Sequence, residues 1–125
     1  MSVTRRTGRF KPVDRILESR DFRRISREGR RTAAHDFVLI LSASREDDGR
    51  RRLGVSVSRR VGNAVVRNYV KRCVREWFRR ERERLPRSSD VVVIARRPAA
   101  DLDSRQIAQA LDELVARALR KAFTT

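Results

Sequence analysis

The stretch RVGNAVVRNYVKRCVREWFRR, from Arg60 to Arg80, decides the fold around it. If it is helical from about Ala64, successive side chains turn by about 100°. Basic residues then gather on one side and apolar residues on the other. The basic side holds Arg67, Asn68, Lys71, Arg72, Arg75 and Arg79, and the apolar side holds Val66, Val70, Cys73 and Trp77. Because like charges four residues apart destabilise a helix, the stability of the fold does not account for this cationic face. Binding to a polyanionic partner would account for it.

The composition of the whole chain points the same way. Its 125 residues suit one domain with a modest core. It has 32 Lys and Arg against 16 Asp and Glu, a formal net charge of +16. Such an excess of positive charge indicates the kind of binding partner rather than the fold, and nucleic acid is the default partner of so basic a chain. An anionic membrane surface is the less favoured alternative.

The location of the protein is predicted from what the sequence lacks. A single cysteine cannot form an intramolecular disulfide. No apolar run is long enough to span a bilayer, and no short hydrophobic segment follows a basic N-terminus as in a secretory signal. We therefore expect a cytoplasmic protein with no membrane partner.

The remaining elements are predicted from periodicity and from capping residues. Residues 1–12 have no periodicity and are expected to form a flexible basic arm before a single RNA-binding domain over residues 13–125. A short helix should begin at Ser19 and stop at Gly29. The basic helix should end near Arg84, because Pro86 cannot lie inside it. A last helix should begin at Asp103 or Ser104, with Asp103 and Gln106 spaced as in a capping box.

Three strands are predicted between these helices. DFVLILSAS, from Asp36 to Ser44, is a short branched apolar run. RLGVSVSRR alternates valines with Gly54, Ser56 and Ser58, which predicts one apolar face and one small polar face. DVVVIA, from Asp90 to Ala95, is apolar on both faces, as in a central strand. The predicted order is helix, strand, strand, helix, strand, helix. The first two strands are expected to form an antiparallel hairpin, and the second and third to be joined by a strand-helix-strand crossover. The fold class is therefore α+β: a small sandwich with a mixed sheet covered by amphipathic helices.

The sequence offers no self-sufficient catalytic site. His35, the only histidine, precedes a strand and suits an ordinary surface position better than a general base. Asp47 and Asp48 beside Gly49 suit a turn better than a metal site. Cys73 lies on the apolar side of its helix, which indicates a buried, inert thiol. No small-molecule substrate is expected.

The cationic face of this helix also has a simpler explanation, namely that it is a solvent-exposed surface of an arginine-rich protein with no partner. Against it, Gly62 and Asn63 place a tight turn before the helix, and Asn68 lies among the cations as a neutral amide that can pair with a base or order water. Phe22 fits core packing and stacking on an unpaired base equally well, and Phe78 also has a ring that could stack. Trp77 is expected in the core.

These residues carry a resemblance. GNAVVRN followed by VKRCVREWFR resembles the signature of the bacterial ribonuclease P protein, in which a GNAxxRN turn leads into an RNxxKRxxRE helix. DFRRI with Gly29, FVLIL, RLGVSVSRRVGNA and DVVVIARRPA match that family in order and spacing, from about Arg15 to Leu119.

The resemblance implies the small subunit of a ribonucleoprotein whose RNA is the catalyst, and a left-handed crossover between the parallel strands. That enzyme, the endoribonuclease ribonuclease P, removes the 5′ leader of precursor tRNA with Mg²⁺ held mainly by RNA. The implied partners are the ribonuclease P RNA subunit and precursor tRNA. The protein alone would not be catalytic and would hold no metal directly, although Asn68 could make a water-mediated contact. The residues implied to face the RNA subunit near the cleavage site are Arg59, Arg60, Asn63, Arg67, Asn68, Lys71, Arg72 and Arg75.

The resemblance also implies a cleft for the single-stranded leader. Its lining would be Phe22, Val38, Ile40, Ser56 and Ser58. This chain departs from the family pattern at Tyr69, Ser26 and Ile40, where members often carry Arg, a second aromatic residue and sometimes Tyr. Stacking on the leader should accordingly depend more on Phe22.

Two other hypotheses share the same charge. A structural RNA-binding protein of the ribosomal type, without a nuclease role, would have a similar sandwich. A protein that binds duplex DNA fits this sequence less well, because a DNA-recognition helix presents varied side chains that contact bases rather than a uniform cationic stripe.

Overall fold

The computed structural model describes residues 19–123, and the arm predicted over residues 1–12 lies outside them. Within 19–123, three α-helices and four strands follow in the order α1, β1, β2, β3, α2, β4, α3. Their bounds are Ser19–Glu28 (α1), Arg30–Ala33 (β1), Phe37–Ala43 (β2), Arg51–Val57 (β3), Ala64–Glu81 (α2), Ser89–Ala95 (β4) and Ser104–Phe123 (α3), with 3₁₀ turns at Arg82–Arg84 and Arg97–Asp101. The predicted α+β class is confirmed.

The four strands form one mixed sheet in the order β1-β2-β4-β3. Strand β2 is antiparallel to both β1 and β4, and β3 is parallel to β4. Strand β4 is central, and all its residues except Ile94 are buried. Its prediction as a central strand is confirmed, since a strand that is apolar on both faces needs neighbours on both sides.

The predicted hairpin between the first two predicted strands, which are β2 and β3 of the structure, is wrong. Strand β4 lies between β2 and β3, pairing Val38 with Ile94 on one side and Ile94 with Ser56 on the other. The hairpin is formed instead by β1 and β2, closed by a hydrogen bond from Ala34 N to Phe37 O at 2.8 Å. Because β4 is the most apolar strand, placing it inside the sheet buries more surface than placing it at an edge.

Strand β1, RRTA, is absent from the sequence prediction. It has four residues, of which only Thr32 is buried, so it shows no usable alternation. Its position depends on Gly29, where the chain turns sharply from α1. A Cβ at Gly29 would lie 2.6 Å from Ile40 Cγ2 and 2.7 Å from the carbonyl oxygen of Ile25. Glycine is therefore required by close approach between α1 and β2.

Helices cover the two faces of the sheet unequally. Helices α2 and α3 pack on the face that carries Leu39, Val93 and Leu53, which forms the main core. Among residues 19–123, helix α1 alone packs on the other face, where Ile25 contacts a smaller cluster of Val38, Ile40 and Val92. A single ten-residue helix cannot cover a whole sheet face, so the described residues leave part of that face uncovered.

The main core confirms the predicted apolar sides of the two long helices. On α2 the buried residues are Val70, Cys73, Val74, Trp77 and Phe78. Phe78 has no exposed surface, so its suggested stacking on a base is wrong. On α3 the capping box is formed: Gln106 N donates to Asp103 Oδ1 and Asp103 N donates to Gln106 Oε1, both at 2.9 Å.

A buried carboxylate joins α1 to the sheet. Asp90, the second residue of β4, is fully buried. Its Oδ2 accepts from Arg24 of α1 at 2.8 Å and from Arg52 Nη2 of β3 at 2.9 Å, while its Oδ1 accepts from Arg52 Nε at 2.8 Å. The bidentate hydrogen bond to Asp90 raises the pKa of Arg52 above its usual value. We call these three side chains the Asp90 clasp.

We expect Asp90→Asn to lower the free energy of unfolding by about 3 kcal/mol, because it leaves two arginines beside a neutral group in a buried site. Urea denaturation followed by circular dichroism measures the loss. Asp101→Asn, at an exposed carboxylate, is the matched control and should stay within about 0.5 kcal/mol of the parent. Equal stability of the two variants would show that the clasp contributes nothing net.

Candidate nucleic-acid interface

The turn between β3 and α2 sets the direction of the basic helix. Val61 N donates to Ser58 O at 3.1 Å, and Asn63 caps α2, its Oδ1 accepting from Val66 N at 3.0 Å. Gly62 lies so close to Val66 that a Cβ there would be 2.9 Å from Val66 Cγ1. The side-chain oxygen of Asn63 is therefore engaged in the cap, which gives this residue a structural role that the sequence analysis did not assign.

Beyond this turn, α2 presents the predicted cationic face to solvent. Arg59, Arg60, Asn68 and Arg72 are exposed. Arg67, Lys71 and Arg75 are half-buried. All these side chains therefore belong to one surface, together with the exposed Arg79.

Two local features shape this surface. The guanidinium of Arg72 lies 5.6 Å from the centroid of the Tyr69 ring, within range of a cation–π contact. The Nε of Arg67 is buried and has no hydrogen-bond partner among the described residues. A buried donor left unpaired costs about 1–3 kcal/mol.

A cleft opens on the sheet face that α1 covers only in part. Ile94 pairs with Val38 on one side and with Ser56 on the other, so these three side chains form a row across the sheet. Ile94 and Ser56 are half-buried, and Ile94 packs against the same small cluster as the half-buried Phe22 of α1. This half-open row and the Phe22 ring form what we call the cleft.

The predicted lining residues occupy different depths of the cleft. Val38 and Ile40 are each 1% exposed and form its floor beneath α1. Ser58 is exposed at the rim, just past the end of β3. Ile94 was missed by the sequence analysis, although the alternation in DVVVIA could have placed it on the face of Val92.

The cleft and the cationic face meet at one end of the sheet. Ser56 lies at the C-terminal end of β3 and Ser58 directly follows the strand, and the chain passes from there through Arg59 and Arg60 to α2. Ile94 lies on the neighbouring strand at the same level. An apolar, partly open row is thus continuous with a surface of positive charge.

The flank of α1 that faces away from the cleft carries charges of both signs. A depression there is lined by both signs of charge, and the Asp90 clasp lies beneath it. Its lining residues are Arg20, Asp21, Arg24, Arg45, Glu46 and Arg52. Arg45 also pairs with Glu28 at 3.0 Å, which lowers the pKa of that carboxyl. Arg24 and Arg52 are paired with Asp90, and Arg45 with Glu28, so this flank is a structural ion-pair network rather than an anion site.

The groups considered for chemistry are accounted for individually. His35 is exposed, and Asp48 accepts from Arg50 N at 3.0 Å within a turn, both as predicted. Burial raises the pKa of the Cys73 thiol, which keeps it protonated and unreactive. Among residues 19–123, no three His, Cys, Asp or Glu side chains are grouped to hold a metal ion. No helix in that range has the length and apolar character to cross a membrane.

We expect Asn63→Ala to lower the free energy of unfolding by about 1 kcal/mol, because it removes the N-cap of α2. Asn68→Ala is the matched control: it deletes the same side chain from an exposed position inside the same helix, and stability should hold or rise slightly. Thermal denaturation of both variants is the measurement. Equal melting temperatures would contradict the capping role.

Comparison with known proteins gives a consistent result. The model of the ribonuclease P family matches residues 10–119. The ribonuclease P protein component of Desulforapulum autotrophicum is 37% identical over 111 residues, covering 89% of this chain and 93% of that protein. The component from Staphylococcus aureus strain Mu3 is 40% identical over 101 residues, covering 81% and 86%.

Solved structures agree with these relatives. A Staphylococcus aureus RNase P protein superposes with a TM-score of 0.77 at 37% identity, over 84% of this chain and 94% of that one. The RNase P protein from Thermotoga maritima superposes with a TM-score of 0.72 at 34% identity, over 82% and 96%. Sequence, fold and the cationic helix beside a cleft therefore agree: this chain belongs to the bacterial ribonuclease P protein component family, which acts in tRNA processing.

Proposed function

We propose that this chain is the protein subunit of a ribonuclease P holoenzyme and assists a catalytic RNA in removing the 5′ leader from precursor tRNA. The observation that carries the proposal is the continuity of the α2 cationic face with the half-open cleft at one end of the sheet. RNA subunit and substrate are both polyanions that repel each other, and a surface of guanidinium and ammonium groups between them lowers that repulsion. The substrate is made in the cytoplasm, where we propose the holoenzyme works.

In this proposal the α2 face binds the RNA subunit close to the cleavage site. Its side chains are Arg59, Arg60, Arg67, Asn68, Lys71, Arg72 and Arg75, with Asn63 holding the helix start. Arginine guanidinium groups match phosphate oxygens in pairs, and the amide of Asn68 can pair with a base edge. The cleft receives the single-stranded leader, with the ring of Phe22 available for stacking.

Mg²⁺ in this proposal is held by RNA rather than by the protein. The described residues offer no carboxylate cluster, and a cationic surface is a poor ligand set for a hard divalent cation. The protein contributes fixed positive charge, which replaces part of the counterion screening that free Mg²⁺ must otherwise supply. In this proposal the protein positions the substrate and the RNA cleaves the bond.

We expect the purified chain alone to leave precursor tRNA intact and to let its cognate RNA cleave at low Mg²⁺. Lys71→Ala should raise the Mg²⁺ concentration needed for half-maximal cleavage and lower the slope of log affinity against log salt by about one, since it removes one phosphate contact. Arg105→Ala, at an exposed position on α3, is the control. Cleavage that is indifferent to added protein, or copurification of the chain with ribosomal subunits, would refute the proposal.

We expect Phe22→Ala to weaken binding of precursor tRNA about tenfold and to leave binding of mature tRNA unchanged, because only the precursor has a leader to stack on the ring. Phe22→Leu separates stacking from packing: it keeps an apolar contact with Ile25 and its neighbours but has no flat ring. Fluorescence binding assays with the reconstituted holoenzyme measure both ligands. A leucine variant that binds like the parent would show that Phe22 serves packing alone.

A further inference from the structure

Helix α2 exposes one large apolar side chain that the proposed function does not use. Val65, in the first turn of the helix, is 77% exposed, and no other large apolar side chain between residues 19 and 121 is exposed. A β-branched valine lowers helix propensity, and an exposed valine adds little to the core. The stability of the fold therefore does not account for Val65 at this position.

Val65 shares one strip of α2 with an aromatic ring and a cation. Tyr69 is four residues further along the chain and Arg72 is seven, so the three side chains fall within an arc of about 60°. The guanidinium of Arg72 lies over the Tyr69 ring, 5.6 Å from its centroid. We call Val65, Tyr69 and Arg72 the α2 patch. It brings an apolar group, a ring and a planar cation together on one side of the helix.

The Tyr69 ring is held by its contacts with the interior of the domain. The side chain is half-buried and packs against the main core. Burial raises the pKa of the Cys73 thiol, and a side-chain hydrogen bond with Tyr69 opposes part of that rise. Because the ring is already packed, little conformational entropy is lost when a flat ligand lies against the α2 patch.

The α2 patch lies on the flank of α2 that is turned toward α3. On this flank Cys73 and Glu76 line a groove together with residues of α3, and Tyr69 lies one helical turn before Cys73. Arg67 and Lys71 fall on the other flank of the helix. The cleft lies on the opposite face of the sheet from α2 and α3. The sheet therefore separates a leader in the cleft from the α2 patch, whereas an RNA seated on the cationic face of α2 lies beside it.

The chemistry of the α2 patch favours a nucleobase over a phosphate. Val65 and Tyr69 carry no charge to attract a phosphate. An unpaired base has a flat face that stacks on rings and on guanidinium planes, and its strand brings phosphates to the neighbouring cations. We infer that the α2 patch stacks an unpaired base of the RNA subunit, with Tyr69 and Arg72 as the platform and Val65 at its edge. This inference rests on the proposed function.

Salt dependence separates stacking on the α2 patch from phosphate contacts. The test measures binding of the full chain to its cognate ribonuclease P RNA over a range of salt concentrations. Tyr69→Leu removes the ring and keeps an apolar side chain, and we expect it to bind about tenfold more weakly at every salt concentration, with an unchanged slope. Tyr69→Phe is the matched control, because it keeps the ring, and should bind like the parent.

Two further variants keep the test decisive if Tyr69→Leu fails to fold. Val65→Thr replaces one methyl group by a hydroxyl at an exposed position, so stability should hold while binding of the RNA weakens about threefold. Arg72→Lys keeps the charge and loses the planar guanidinium. It should weaken binding about as much as Tyr69→Leu and retain the slope of the parent.

Chemical probing of the RNA subunit identifies the base. We expect an unpaired nucleotide that is protected by the parent and by Tyr69→Phe to become reactive with Tyr69→Leu or Arg72→Lys. An unchanged pattern of protection, or lost protection on the leader of a precursor instead, would overturn the inference.

The binding measurements can overturn the inference independently. Parent-like binding by Val65→Thr, Tyr69→Leu or Arg72→Lys, or an equal loss in Tyr69→Phe and Tyr69→Leu, would remove the stacked base. A slope lower by about one in Tyr69→Leu would show that the ring only holds Arg72 on a phosphate. Failure of the proposed function is recognised separately, since Lys71→Ala then binds the RNA with the affinity and slope of the parent.

Discussion

The fold depends on the need to cover both faces of strand β4. Its residues from Ser89 to Val93 are all buried, and a strand with apolar side chains on both faces is stable only inside a sheet with a layer on each side. This requirement separates β2 from β3, sets α2 and α3 on one face and brings α1 to the other. The parallel pairing of β3 and β4 follows, because α2 connects them across the sheet.

The unequal cover of the two faces creates the cleft. Two long helices bury the main core, including Trp77, whose indole N–H donates to Asp112 Oδ1 at 2.8 Å and ties α2 to α3. On the other face one short helix meets the sheet through few apolar side chains, with Ile25 at their centre. The Asp90 clasp supplements that small contact with buried, charge-assisted hydrogen bonds. A partly open row of side chains next to a firmly held helix is a suitable site for a single strand.

Electrostatics and packing are divided cleanly between the sides of each helix. The net charge of +16 comes from an excess of arginine, and most arginines of residues 19–123 are exposed, while the interior of that range is mainly apolar. The buried charged side chains there are Arg24, Asp36 and Asp90, and Arg24 is paired with Asp90. Such a domain accepts self-repulsion at its surface because its core is well packed, and association with a polyanion relieves that repulsion. The cationic face of α2 suits a protein whose partner is RNA.

The sequence by itself determined the helices, three of the four strands and the cationic face of α2. These are encoded in local periodicity and caps, such as the Asp103 capping box and the apolar side of α2, and the family resemblance came from one contiguous motif. Only the tertiary structure decided that β4 separates β2 from β3, that Val38 and Ile40 lie beneath the cleft, and that Asn63 is a cap. The Asp90 clasp joins residues 66 and 38 positions apart in the chain, and no local pattern records such a pairing. Strand order and burial are properties of contacts between distant segments, which is why periodicity could not predict them.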